Sequence, residues 1–552
     1  MTPDQLAAAV LDAARAALTD LGLDPRLLPA TAAVERPKSP EHGDYASAIA
    51  MQLARPAGVA PRQLAQAVSQ RLRGTPGVAG VDVAGPGFLN VRLDTTAIAQ
   101  TARTVVSQGA SYGTSTALAG GRINLEYVSA NPTGPIHIGG VRWAAVGDAL
   151  ARLLRATGAD VTTEYYFNDA GAQIDRFAKS LLATAKREPV AEDGYAGDYI
   201  GEIAAAVVGE RPDVLQLPRD QAQEVFRVEG VRLMFADVKE TLTEFGVSFD
   251  VYFNERTLHT HGDLDAALAR LAEAGHVYEA EGATWVRTTT FGDDKDRVIV
   301  KSNGQWGYFA GDCAYYLDKR RRGFDRVVMI LGADHHGYVG RLRAMAACFG
   351  DDPDTNIEVL IGQLVNLTRN DTRVRLSKRA GALVTLREII DLLGVDAARY
   401  ALARYSIDSP IDLDPDLWTR RSADNPIFYV QYAHARIASL LRNAEAMAVT
   451  RGDDYDASLL TDPRERDLLR CLGQYPEIVK LAAELREPHR VARYLEELAS
   501  TYHKFYDACR ILPREGEAAD DLTRARLWLA EAARIVFVNG LGLLGVSAPE
   551  RM

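Results

Sequence analysis

Residues 122–140 read RINLEYVSANPTGPIHIGG. Ile123, Leu125 and Tyr127 alternate with polar residues, and that period of two predicts a short strand. The loop Asn131-Pro132-Thr133-Gly134-Pro135 cannot continue it, because two prolines remove backbone donors and fix φ. His137, Gly139 and Gly140 come next, and Trp143, Val146, Leu150 and Leu153 then recur at helical spacing. Val161–Phe167 returns to a strand pattern. Strand, glycine-rich turn, helix and strand make a βαβ unit with a right-handed crossover. An α/β fold on a parallel sheet is therefore expected, with ligands at the carboxyl ends of its strands. His137 and the two glycines fall there.

Paired glycines let a ligand approach the backbone closely, and the helix start behind them favours negative charge. An imidazole beside them can donate a hydrogen bond to a phosphate, stabilising charge rather than transferring a proton. An ordinary glycine turn with an incidental histidine fits the same residues, since short motifs recur by chance.

A second stretch, VRLSKRAG at 374–381, follows the apolar run IEVLIGQLVNL. Alone, such a basic loop is usually a solvated face. The pair resembles the HIGH and KMSKS signatures of class I aminoacyl-tRNA synthetases. The words SANPTGPIHIGG, EYYFNDAGAQID, GADHHGY, LSKRAG, FYVQYAHARI and the terminal APERM narrow the resemblance to the arginyl-tRNA synthetase family, over essentially the whole chain. Two departures stand out: the first motif ends in Gly140 rather than histidine, and the second reads RLSKR rather than KMSKS.

With 552 residues, the chain is long enough for three or four domains. Charged residues make up 25% and hydrophobic ones 47%, the composition of a globular protein. No apolar run approaches the roughly 18 residues of a membrane span, so no membrane partner is expected. The amino terminus reads as an amphipathic helix and lacks the basic start of a signal peptide. Cys313, Cys348, Cys471 and Cys509 are scattered without CxxC spacing. That argues against a protein-bound structural zinc, against the cysteinyl relative of the class, and for a reducing cytoplasm. A net charge of −11 by itself argues against nucleic acid. Basic clusters at Lys319–Arg322 and Arg373–Arg387 nevertheless offer local patches.

Residues 1–110 read as a separate α+β module. A helix runs through Leu6, Val10, Ala14 and Leu18, a second is expected in HGDYASAIAMQLAR, and GPGFLNVRL is a strand. By resemblance this module contacts the corner of the tRNA that carries the D-loop. His42, Asp44, Tyr45, Phe88 and Asn90 match its words, although each also fits a purely stabilising role. Residues 111–414 carry a Rossmann-like catalytic domain with an insertion, in which GYAGDYI at 194–200 reads as an ordered loop. Gly246–Phe253 predicts a strand. Thr284–Arg287, Val298–Lys301 and Trp306–Phe309 predict short antiparallel strands, with Asn303-Gly304 as a hairpin turn. Val327–Leu331 and Ile357–Leu367 predict buried parallel strands. Residues 415–552 carry only helical patterns, a bundle that by resemblance reads the anticodon. Tyr502, His503, Phe505 and Tyr506 are candidates to stack on bases, although at this spacing some must face the core.

The resemblance implies a two-step reaction. The carboxylate of L-arginine attacks the α-phosphate of ATP, accompanied by Mg2+, to give arginyl-adenylate; the 3′ end of arginine tRNA then takes the arginyl group. Asn131 and His137 would stabilise the phosphates, Gly139 would make room for the adenine beside Gly140, and Lys378 would close over the pyrophosphate, supported by Ser377. The arginine pocket maps onto Glu126, Ser129, Asn131, Tyr308 and Asp312, with His335 at its edge. Carboxylates suit a planar guanidinium with five donors. A salt bridge within the sheet would equally explain Glu126, and a helix cap after a Gly-Asp turn would explain Asp312. Tyr45, Asn90, Tyr502, Tyr506 and Met552 are the expected tRNA contacts, and a monomer is expected. Two rivals remain: a nucleotidyltransferase on the same fold, which needs no helical bundle, and a catalytically silent tRNA-binding paralogue, against which His137 and Lys378 speak.

Overall fold

A computed structural model describes residues 3–552 apart from 36, 38, 336, 370–371, 374–383 and 515. Helix α1 (Pro3–Asp20) buries Leu6, Val10, Ala14 and Leu18 as one stripe, as their four-residue spacing requires. β1 (Tyr45–Ser47), α2 (Ile49–Ala57), α3 (Pro61–Leu72), β2 (Val78–Ala84) and β3 (Phe88–Leu93) complete an α+β module. Its strands pair antiparallel in the order β1-β3-β2. The single helix expected over HGDYASAIAMQLAR is thus a short strand followed by a helix. Tyr45 and Ser47 alternate inward while the strand pairs with β3.

After helix α4 (Thr95–Gln108), β4 (Arg122–Glu126), α5 (Ile138–Ala156) and β5 (Asp160–Phe167) form the expected βαβ unit. Gly147 of α5 lies against Tyr127, where a Cβ would meet ring carbons at 2.4 Å. Any side chain there would push the helix off the sheet. Helices α6 (Ala172–Ala185), α7 (Asp198–Glu210) and α8 (Arg219–Glu244) form the insertion before β6 (Val251–Asn254). Helices α9 (Arg256–Thr260) and α10 (Asp263–Glu273) lead to the antiparallel strands β7 (Val277–Ala280), β8 (Ala283–Val286) and β9 (Arg297–Val300). Then α11 (Tyr308–Arg321), β10 (Arg326–Gly332), α12 (Tyr338–Cys348) and β11 (Ile357–Gly362) close the main sheet. All five of its strands are parallel, in the order β11-β10-β4-β5-β6. The chain steps outward from β4 to β6 and then returns to the other side of β4. The order therefore reverses between β4 and β10, the crevice where open α/β sheets bind ligands. The loop to His137 leaves β4 at that point, and Ala333-Asp334-His335 leaves β10.

Three strand expectations change. Strand β6 covers only the end of the Gly246–Phe253 run, from Val251; Gly246 sits at φ 76° as α8 ends, and the segment up to Asp250 is a loop that buries Val247 and Phe249 while Ser248 and Asp250 stay exposed. Trp306–Phe309 makes one isolated bridge to Val300 and then enters α11, while β7 supplies the third strand of its small sheet. Ile357–Leu367 splits at Gln363 and Leu364 into β11 and β12 (Val365–Arg369), and β12 pairs with a later strand rather than with the main sheet.

That later region holds β13 (Thr372–Arg373), α13 (Leu386–Leu393), α14 (Val395–Ala403) and β14 (Ile411–Leu413). Thereafter the named elements are helical: α15 (Pro415–Trp418), α16 (Pro426–Ala446), α17 (Pro463–Glu484), α18 (His489–Ala508) and α19 (Asp521–Leu543). A capping box of Asp462 and Glu465, with Pro463 at the first helical position, fixes the start of α17. Although α4 precedes the catalytic sheet in the chain, it packs on α17 and α19. Tyr112, just beyond it, donates to the Leu472 carbonyl at 2.9 Å, and Asn539 donates to the carbonyls of Gly109 and Tyr112 at 3.0 Å. Arg399 of α14 is fully buried and ties the sheet to the bundle, donating to Asp148 of α5 and to the Leu544 carbonyl.

Candidate active site

Strand β4 ends in Glu126, whose carboxylate is nearly inaccessible. Oε2 accepts from Lys319 Nζ at 2.5 Å and Oε1 from Ser129 Oγ at 3.1 Å. Val128 and Ser129 take left-handed conformations, φ 70° and 43°, to turn the chain back. Ser129 Oγ also accepts from the Tyr166 amide at 3.1 Å, which fixes the loop to β5. Glu164 is fully buried next door. Burial opposes its charge, but Lys319, Arg322 and Tyr315 outweigh that and hold its pKa below the usual value. Arg322 donates to both its oxygens at 2.6 and 2.9 Å, and the Tyr315 hydroxyl donates at 2.6 Å.

Asp312 lies on the second turn of α11, not after a turn, and the N-cap of that helix is Gly307. The cap reading therefore does not hold. Its carboxyl is crowded by protein, and burial, opposed by Arg341 and reinforced by Glu255 and Glu126, pushes its pKa up to about 7. Burial, then Glu255, Asp312 and Glu126, likewise push the Tyr166 hydroxyl upward. Glu126, Asp312, Glu255 and Tyr166 thus share one electrostatic neighbourhood beside the carboxyl end of β4, in which the acids outnumber the cations Lys319 and Arg341. Glu255, Tyr166 and Arg341 carry no sequence signal that singles them out, beyond Tyr166 lying in EYYFNDAGAQID.

His137 is the N-cap of α5, and its Nδ1 accepts from the Gly139 amide at 3.2 Å. Burial lowers its pKa, so the ring is neutral at pH 7. A neutral ring that accepts at Nδ1 carries its proton on Nε2 and can donate there. Asn131 is held from both ends: Oδ1 accepts from the Asn168 amide at 3.1 Å and Nδ2 donates to Gln173 at 3.0 Å. A Cβ at Gly139 would meet the His137 ring at 3.0 Å, and one at Gly140 would meet Ile136 at 3.2 Å. His137 forms a bridge with Thr385, and Ile138 and Leu386 exchange backbone hydrogen bonds with Val384 and Ile136, both 2.7 Å. The chain leaving the second signature is therefore fastened to the first. Ser377 and Lys378, with Arg375 and Arg379, lie outside the described residues.

Other candidates stand apart. Tyr308 is 96% exposed, with Lys301 Nζ 5.6 Å from its ring centroid. His335 packs edge-on to Tyr338 at 5.3 Å, with Asp334 at 3.5 Å. The Lys319–Arg322 cluster, offered as a local basic patch, is instead paired with acids: Glu126 for Lys319, Asp351 for Arg320, Asp263 for Arg321 and Glu164 for Arg322. Among the described residues, no group of three or more His, Cys, Asp or Glu side chains could hold a metal ion.

The expected RNA contacts divide in the same way. Tyr45 and Asn90 are buried in the amino-terminal module. Their side chains are not offered to RNA in this arrangement, whereas Phe88 is 40% exposed. Asp44 is a tether, accepting from the Leu93 amide at 2.8 Å and pairing with Arg470 of α17 at 2.6 Å. Tyr502 and Phe505 are fully buried, so the stacking role expected of Tyr502 is not available to it. Tyr506 is half-buried, with the Arg436 guanidinium 4.6 Å from its ring and 5.0 Å from that of Tyr432. The tail crosses α16: the Pro549 carbonyl lies 2.9 Å from His434 Nδ1, the Glu550 carbonyl accepts from Arg442 at 3.1 Å, and Met552 is 54% exposed. Deleting Pro549–Met552 should raise the KM for tRNA more than it disturbs adenylate formation. An unchanged KM for tRNA in steady-state charging would reduce the tail to packing.

Three family models match the chain: "Arginyl tRNA synthetase N terminal domain" over residues 4–93, "tRNA synthetases class I (R), catalytic domain" over 220–405 and "DALR anticodon binding domain" over 430–552. A curated arginine–tRNA ligase of Kineococcus radiotolerans is 60% identical over 554 residues, covering all of both chains. The arginyl-tRNA synthetase structure of Thermus thermophilus shares the fold at TM-score 0.77 and 23% identity, over 99% of this chain and all of that one. That of Plasmodium falciparum shares it at TM-score 0.72 and 14% identity, over 100% and 99% of the two chains. Parallel sheet, switch-point loop, amino-terminal module and helical bundle agree with those matches, and the chain belongs to the arginyl-tRNA synthetase family of class I aminoacyl-tRNA synthetases.

Proposed function

We propose that the chain activates L-arginine with ATP and transfers it to the 3′ end of arginine tRNA, using the β4–β10 crevice. The observation that carries this assignment is a group of three carboxylates, Glu126, Asp312 and Glu255, that outnumbers its cations Lys319 and Arg341, in the same crevice as a neutral His137. A cationic side chain suits the first and phosphate oxygens the second. Asp312 binds the guanidinium with Glu126, Ser129 orients Glu126, and Tyr308 and His335 line the mouth. Asn131 and His137 donate to the substrate carboxylate and phosphates. His137-Ile138-Gly139-Gly140 serves as the first signature, with Gly139 giving room to the adenine. Lys378 and Ser377 act on the departing pyrophosphate. Mg2+ belongs to the ATP as substrate. Tyr506 and Met552 reach the anticodon region.

The three expected units, 1–110, 111–414 and 415–552, divide the work between tRNA corner, chemistry and anticodon. The proposed unit is the monomer. Four free, buried cysteines support a cytoplasmic setting. Charging of total tRNA with each of the twenty amino acids tests the reading. Only arginine should be esterified, and charging with any other amino acid in preference would overturn it.

Arginine-dependent pyrophosphate exchange should require tRNA. Arg142 of α5 donates to the carbonyls of Gln363, Ser406 and Ser409 at 2.6–2.8 Å, and Arg399 links α5 to the bundle. The helix that carries His137 at its head is thus joined to the region a tRNA engages. Robust exchange without tRNA would refute this coupling.

A further inference from the structure

We propose that Lys319 is a specificity-determining positioning residue, which occupies one side of the Glu126 carboxylate so that the pocket accepts a guanidinium and excludes an ammonium. The proposal rests on the reading of Glu126 as part of the arginine pocket. Asp312, Tyr315 and Lys319 recur on α11 at intervals of three and four, so they share the helix face turned toward β4 and β5. Lys319 is 1% exposed. Its Nζ lies 2.5 Å from Glu126 Oε2, 3.9 Å from Glu164 Oε1 and 4.1 Å from the Tyr315 ring centroid. Glu164 has Arg322 and the Tyr315 hydroxyl for itself. Among the described residues, Lys319 is the only cation paired with Glu126.

A carboxylate offers about four lone-pair sites. Here the protein's own ammonium and the Ser129 hydroxyl each take one. An ammonium is a compact point charge that gains most from an open carboxylate, and that place is filled from inside. A guanidinium spreads its charge over a plane with five donors. It can use the remaining sites on Glu126 together with Asp312. Lys319 also offsets the cost that an unpaired buried carboxylate at Glu126 would carry.

The test compares tRNA charging with arginine and with lysine for the wild type, Glu126→Gln, Lys319→Met and the double variant. Lys319→Met should raise the arginine KM about tenfold to a hundredfold, the order expected for losing a hydrogen bond to a charged group. The kcat and the ATP KM should stay near wild type, and the arginine-to-lysine ratio of kcat/KM should narrow at least tenfold. Since Lys319 acts through Glu126, the double variant should be no worse than Glu126→Gln. That variant buries no orphan carboxylate, so it serves even if Lys319→Met does not fold. An arginine KM unmoved by Glu126→Gln would remove Glu126 from the pocket. A raised KM in Glu126→Gln with unchanged kinetics and substrate ratio in Lys319→Met would overturn this proposal alone. So would a double variant markedly worse than Glu126→Gln.

Discussion

Asp312→Asn should lower kcat/KM for arginine by roughly two to three decades or more, with the ATP KM little changed. Asparagine keeps the shape of the side chain and removes its charge. Breaking one partner of a desolvated charge pair costs on the order of 2–5 kcal/mol. Asp312 meets that condition, since its carboxyl is crowded by protein and Arg341 is the one cation that favours its charge. The phosphates lie against a different element, the His137 turn, so ATP binding should be spared. A helix cap would tolerate asparagine, but Gly307 holds that position. Both KM values measured on the variant, with folding checked by melting temperature, decide the matter. A near-wild-type arginine KM would take Asp312 out of the pocket and leave Glu126 as the leading carboxylate.

The same side chain predicts a pH dependence. Burial pushes the Asp312 carboxyl up to about 7 in the free protein, while a bound guanidinium needs the carboxylate. Below that value arginine must displace a proton, so its KM should fall as pH rises from about 6 to about 8. The Asn variant should lose this trend. In the folded chain the carboxyl holds its proton more tightly than in the unfolded chain. Its contribution to stability therefore weakens as pH rises from the ordinary carboxylate range toward about 7.

The β4–α5–β5 unit was legible because its periods change abruptly, from two to 3.6 and back, around glycines. The partner of Glu126 was not, because Lys319 is 193 residues away and inside an apparently solvent-facing KRRR run. Only the helix packing turns each of those cations onto an acid. Trp306–Phe309 was misread for a related reason: alternating aromatics suit a strand, yet Gly307 begins a helix. Tyr502 is placed by a longer pattern than its local aromatic cluster. Val491, Leu495, Leu498, Tyr502 and Phe505 continue one stripe at steps of three and four, and that stripe is the core face of α18. Tyr506 lies at its flank, which is why its ring remains partly open. Asp312 is assigned by resemblance; its raised pKa follows first from burial and then from Glu255 and Glu126, against Arg341, and no local pattern brings those neighbours together.

His137→Ala should cost about 100- to 1000-fold in the rate of adenylate formation, the usual effect of losing one preorganised donor, with little change in arginine binding. The ring does two things at once. Nδ1 accepts from the Gly139 amide and caps α5, which leaves Nε2 to donate into the crevice. Alanine removes both, and losing the cap should cost about 1 kcal/mol of stability. Asparagine separates the roles, because it is a good N-cap whose shorter side chain does not reach as far as Nε2. His137→Asn should therefore recover most of the melting temperature while its adenylation rate stays low. Protonation should mimic the loss, since a proton on Nδ1 would face the Gly139 amide. Burial lowers the folded pKa, so the unfolded chain takes up the proton first. The cap's contribution is then present at pH 7 and disappears as pH falls through the depressed value. A His137→Ala variant whose only defect is a raised KM for arginine would show that the imidazole serves the amino acid and not the phosphates. An Asn variant with restored rate would reduce the histidine to its capping role.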